Sequence, residues 1–153
     1  MGKYFIGTSG WQYWHWKKVF YPENLSSKDF FDYYIKYFDT TEINASFYRD
    51  IRETTFLKWY QNSPKNFIYS VKLNRVVTHF KRLKVDRKTL DNYINKISLL
   101  KEKLGVILIQ LPPGLKFDVV LLEDFIGMLD KNFRYAIEVR NQSFICNSFF
   151  EIL

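Results

Sequence analysis

Tyr135-Ala136-Ile137-Glu138-Val139-Arg140 is the fifth apolar, strand-like run in this chain to finish in polar residues that share one face. The other four are Tyr4–Thr8, Thr41–Asn44, Phe67–Lys72 and Val106–Gln110. Side chains alternate faces along a strand. Glu42 therefore points with Asn44, Ser70 with Lys72, and Glu138 with Arg140. The opposite parity is apolar, with Ile43, Tyr69, Val71, Ile107, Ile109, Ile137 and Val139. Polar groups gathered at the C-terminal ends of parallel strands are where α/β proteins keep their sites.

Between these runs the sequence reads as helices. Ser26 with Asp29 predicts a capping box, ahead of Phe30, Tyr33, Tyr34, Tyr37 and Phe38 at helical spacing. A second helix is predicted around Thr54–Gln61, ended by Ser63-Pro64. Asp86 is expected to cap a helix with the stripe Leu90, Tyr93, Ile94, Ile97 and Leu104, with Gly105 as its C-terminal cap. Asp118 is expected to cap another, bearing Leu122, Phe125, Ile126 and Leu129, and a further helix begins near Asn147. The segment from Leu73 to Asp86 is a long loop, a length that in a compact domain points to function.

Strict strand–helix alternation implies right-handed crossovers and a parallel sheet. Gly7-Thr8-Ser9-Gly10 runs into Trp11 and Tyr13, with no G-x-G-x-x-G, which argues against a dinucleotide fold. Polar groups on the inward parity of every strand favour a barrel over an open sheet with one switch point. The expected fold is α/β, a TIM-barrel-like (β/α) repeat of parallel strands with about five of the eight βα units of a full barrel. Residues 1–153 are read as a single domain, and the early end predicts a C-terminally truncated, incomplete barrel.

Composition narrows the function classes. The chain is 47% hydrophobic and 20% aromatic, enough to bury a core. Its net charge of +7 points towards phosphates or nucleic acid, although the lysines are scattered apart from Lys17-Lys18 and Lys72 to Lys84. One cysteine, Cys146, excludes an internal disulfide. There is no signal pattern and no apolar run of membrane-span length, so a cytoplasmic location and no membrane partner are expected. No cofactor motif is present, and two histidines without ligand spacing predict no metal site. One divalent ion between Glu42 and Glu138 stays open.

The residues also carry a resemblance. Ile6-Gly7-Thr8-Ser9-Gly10-Trp11-Gln12-Tyr13, with Trp16 and Phe20-Tyr21-Pro22, resembles the opening of the YecE-like family, domain of unknown function 72. The blocks Phe38 to Tyr48, Val71-Lys72 leading to Arg75, Thr78-His79, Lys81-Arg82-Leu83, Gln110 to Pro113, and Glu138 to Arg140 with Ser143 follow in the family's order. The resemblance implies a TIM-barrel-like fold and no settled activity. Family members continue through further strands, and Phe144 stands where they usually show Trp.

Glu42 and Glu138 are the candidate general acid/base pair, because carboxylates in different environments split their pKa values. Structurally, an inward Glu instead pairs with Lys72 or Arg140. Lys72 is a candidate anion or carbonyl binder, or a Schiff-base amine if its pKa is lowered; a plain ion pair is the competing role. His79, followed by Lys81 and Arg82, is a candidate acid/base, and the Thr78-His79 pair belongs to the family pattern. Asn44, Tyr48 and Gln110 suit orientation of a polar substrate, with Arg75 and Arg140 as further binding residues. Trp11, Tyr13 and Trp16 form either a stacking wall for a sugar or base or a plug of the barrel mouth. His15, between Trp14 and Trp16, reads as packing or rim.

The expected function is proton-transfer chemistry, as in an isomerase, lyase or hydrolase, on a small polar or anionic ligand. The alternatives are a nucleic-acid or phosphate-binding module, and an inactive truncated fragment. Open sheet edges predict self-association.

Overall fold

The computed structural model describes residue 2 and residues 4–153. Four parallel strands, β1 (Thr40–Ile43), β2 (Ile68–Lys72), β3 (Leu104–Gln110) and β4 (Tyr135–Glu138), lie in the order of the sequence. Their registers align Glu42 with Ser70, Lys72 with Leu108, and Gln110 with Glu138. Each crossover carries helices: α1 (Phe30–Tyr34) precedes β1, α2 (Ala45–Tyr48) and α3 (Glu53–Asn62) lead to β2, α4 (Arg87–Ile97) to β3, and α5 (Val119–Gly127) to β4. The chain ends with α6 (Asn147–Ile152). The strands are parallel because each helical crossover returns the chain to the end of the sheet from which the previous strand began. The result is an open, TIM-barrel-like α/β sheet.

The core sits between that face and the helices. Ile43, Tyr69, Val71, Ile107 and Ile109 pack with Phe56, Leu90, Ile94, Leu122 and Phe125, all buried. The aromatic excess is spent largely at the N-terminal end. Tyr21 stacks on Phe30 with ring centroids 4.1 Å apart and planes 9° from parallel, a pairing worth about 0.5–1.5 kcal/mol beyond its buried area. Asp86 and Asp118 cap α4 and α5 as expected, accepting from the amides of Thr89 and Leu121.

Several sequence expectations are corrected. Tyr4–Thr8 forms no strand; Thr8 alone joins the sheet, by a parallel bridge to Thr41. Tyr4 and Ile6 remain 89% and 76% exposed, so no burial holds that run extended. Ser26 opens a 3-10 turn, Ser27–Asp29, rather than an α-helix, and α1 stops at Tyr34 before reaching Tyr37 or Phe38. Leu129 lies beyond the end of α5. Leu104 and Gly105 are the first residues of β3. Helix α4 closes at Ser98 in right-handed backbone and passes into a 3-10 stretch over Ser98–Lys103, so Gly105 does not cap it. Gly105 is required for close approach instead: a Cβ there would sit 2.5 Å from Ile68 Cγ2 on the neighbouring strand.

Candidate functional site

The C-terminal ends of the strands collect the polar residues, and the loop after β2 is not structureless. Asn74 is buried and works in two directions, donating from Nδ2 to the Ser46 carbonyl at 2.8 Å and accepting from the Val76 amide at 2.9 Å. Ser46 in turn donates to the Lys72 carbonyl at 2.6 Å. These bonds bolt α2 and the β2 end together and launch a π-helical turn over Val76–Phe80. Such turns are rare and concentrate at functional sites. This one carries His79 back over the strand ends.

His79 is half-buried, and its ring meets Phe47 edge-on at 4.9 Å. Nδ1 shares a hydrogen bond with Thr78 Oγ1 at 2.9 Å, leaving Nε2 for a ligand. Burial, followed by the positive fields of Lys72, Arg140 and Arg75, holds the imidazole pKa below its usual value. Three cations, Lys72 and Arg75 at the end of β2 and Arg140 after β4, thus act on one ring.

Lys72 is 8% exposed. Its Nζ lies 4.4 Å from the centre of the Phe47 ring, and among the described residues no carboxylate forms an ion pair with it. The plain ion-pair role weighed for Lys72 is therefore not the one it has. Arg75 lies 5.7 Å from the ring centre of Tyr48 and 5.2 Å from that of Phe80. The carboxylate expected to pair with Lys72 or Arg140 takes Arg140: Arg140 Nε donates to Glu138 Oε1 at 2.8 Å, and Gln110 Nε2 donates to Oε2 at 2.7 Å. Burial pushes the Glu138 pKa up, but the bonds from Gln110 and Arg140 and the charges of Arg140 and Lys72 outweigh it, and the net shift is downward. Glu138 is ionised and fully engaged at neutral pH.

Glu42 is elsewhere. It accepts from Ser9 Oγ at 2.6 Å and stands on β1, with two strands between it and Glu138. That is three strand spacings, roughly 14 Å along the sheet, with a further offset along the strands. The two carboxylates stand on strands that are not adjacent. Among the described residues no group of three His, Cys, Asp or Glu side chains has metal-binding spacing, and no helix is long and apolar enough to cross a membrane. Glu42, Asn44, Tyr48, Trp11 and Tyr13 line a separate cavity under the first loop. Trp11 is mostly a core residue, packed on Phe31 and Trp59, with the remainder of its ring facing that cavity. His15 is exposed on the same loop, and Cys146 is a half-buried free thiol.

A family model described as "Protein of unknown function DUF72" matches residues 5–153. The chain belongs to the DUF72 family. Its relatives include the UPF0759 protein YecE of Escherichia coli K12, 22% identical over 141 residues that cover 92% of this chain and 49% of that protein. The chain spans about half the length of the curated relatives it matches. A DUF72 family protein from Thermotoga maritima is 28% identical, with a TM-score of 0.81 over 97% of this chain and 60% of that one. Another, from Enterococcus faecalis V583, has a TM-score of 0.65 at 18% identity over 77% of this chain and 50% of that one, a likeness of fold alone. Within this DUF72 chain, the structure places the expected Lys72, Gln110 and Glu138 at the strand ends, with His79 and Arg140 beside them. Neither Ser46 nor Asn74 is given a role by the sequence, because small polar side chains carry no signal until their partners are known.

Proposed function

We propose that this chain carries the anion-recognising part of a TIM-barrel enzyme site that moves a proton on a small carboxylate- or phosphate-bearing substrate. The observation that carries the reading is Lys72, a nearly buried ammonium at a strand end with no carboxylate partner among the described residues. A buried cation without a counterion is costly, and a bound anion offsets that cost. Arg75 and Arg140 flank the same position, since both act on His79 together with Lys72. His79 is the proton carrier. Its imidazole is neutral near pH 7, so Nε2 takes a proton from the substrate and returns it, the chemistry of an isomerase or lyase. Glu138 is a positioning residue that holds Arg140 and Gln110 rather than a proton donor. Glu42 lies one strand and two residues from Lys72 on the same face, roughly 8 Å between Cα atoms, within the length of one small substrate.

Calorimetric titration with inorganic phosphate tests the reading, with a single-stranded oligonucleotide as the second arm. Saturable phosphate binding that Lys72→Met removes supports it. Binding of the oligonucleotide with a steep salt dependence, indifferent to Lys72→Met, overturns it in favour of a nucleic-acid module built on the exposed Lys81, Arg82 and Lys84.

A further inference from the structure

Between the loop over residues 8–13, the end of β1 and α2 lies a cavity of about 310 Å³, at the small end of the range for ligand pockets. Four of its walls are aromatic: Trp11, Tyr13, Tyr48 and Trp59. The loop that forms one side is pre-organised. Thr8 Oγ1 donates to the Gly10 carbonyl at 2.7 Å, Gly10 adopts φ 97°, and the Tyr13 hydroxyl donates to the Ser9 carbonyl. Trp11 is fixed edge-on against Trp59 at 5.7 Å. A ligand entering here meets walls already in place.

Two of the polar groups in the cavity are acceptors with capacity to spare. Asn44 Oδ1 is buried and has no hydrogen-bond partner, and leaving such an atom unsatisfied is unfavourable. Asn44 directly precedes α2 but its side chain caps nothing, so no local structural role explains it. Glu42 receives one hydrogen bond, from Ser9, and forms no ion pair among the described residues. Arg49 also lines the cavity, so the lining carries one charge of each sign.

We infer that this cavity takes a polyhydroxylated ring of monosaccharide size. Its hydroxyls donate to Glu42 and, once the buried Asn44 amide turns towards the cavity, to its unsatisfied oxygen, and its C–H faces lie against the electron-rich faces of the aromatic walls. The inference rests on the proposed function in one respect: with Glu42 one strand and two residues from Lys72 on the same face, a phosphate or carboxylate on the sugar reaches the Lys72 cluster. The substrate class is then a sugar phosphate or sugar acid.

Trp11 and Trp59 make the cavity visible to tryptophan fluorescence. The probes are D-ribose, D-glucose and D-fructose, their monophosphates, inorganic phosphate and tetramethylammonium. At least one neutral sugar is expected to give a saturable change, and its monophosphate to bind more tightly. Glu42→Gln and Asn44→Leu are each expected to weaken the neutral sugar at least about tenfold while leaving inorganic phosphate binding intact, which also reports that both variants are folded. No saturable response to any neutral sugar, equal sugar affinity in wild type and both variants, or saturation by tetramethylammonium in place of sugar overturns the inference. A neutral sugar that binds no more weakly than its monophosphate supports the cavity and removes its connection to Lys72, so the two readings fail separately.

Discussion

The ammonium of Lys72 and the ring of Phe47 lie 4.4 Å apart, and among the described residues no carboxylate comes within ion-pair distance of that ammonium. A phenyl face attracts a cation only modestly. The charge is held at the end of β2 by packing rather than by a partner, and the site's chemistry follows from that.

Replacing Lys72 by Met keeps the length of the side chain and its contact with Phe47 and removes the charge. Thermal unfolding is expected to show unchanged or higher stability, because an uncompensated buried charge is lost. Phosphate affinity is expected to fall at least about tenfold. A large loss of stability would mean that Lys72 is a structural residue with a partner.

The imidazole of His79 contributes to the pH dependence of stability with a definite sign. Its folded pKa lies below the ordinary 6.5, so the unfolded chain takes up the proton first as pH falls. The contribution is complete above pH 6.5 and is lost as pH falls through the folded value. Urea unfolding across that window is expected to show stability rising with pH in wild type, and a flatter profile in His79→Gln.

Lys103 is the other buried cation, and it is structural. Its Nζ donates to the carbonyls of Tyr60 and Ser63 at 2.6 and 2.7 Å, closing the C-terminal end of α3. Lys103→Met leaves those acceptors unpaired and is expected to cost about 1–3 kcal/mol by urea unfolding, with phosphate binding unaffected.

Gly105→Ala places a methyl group against Ile68 Cγ2. Overpacking of this kind costs about 1–3 kcal/mol. The double variant Gly105→Ala with Ile68→Ala is expected to be less destabilised than the sum of the single changes, since the clash is removed. Additive effects would place the strain elsewhere.

What the sequence made legible is what period and capping chemistry control. The alternation in residues 67–72, 106–110 and 135–140 put Lys72, Gln110 and Glu138 on one face, and Asp86 and Asp118 mark their helices. What it hid depends on neighbours. Tyr4–Thr8 has the alternation of a strand but too little cover to hold one. Gly105 looks like a cap and is a close approach between strands. Glu42 and Glu138 share a parity, yet parity says nothing of the two strands between them. His79 was recognisable as a candidate, but its cationic surroundings arise from the π-helical turn, which the Asn74 side chain initiates and no periodicity signals.

The most direct test of the anion site is the pKa of His79 followed by NMR, with and without inorganic phosphate; His15, the other histidine in the chain, serves as the control. The account predicts a His79 value below 6.5 in the free protein that rises when phosphate neutralises Lys72, Arg75 and Arg140, with His15 unmoved. A His79 pKa that phosphate leaves unchanged, or that moves only in step with His15, would contradict it.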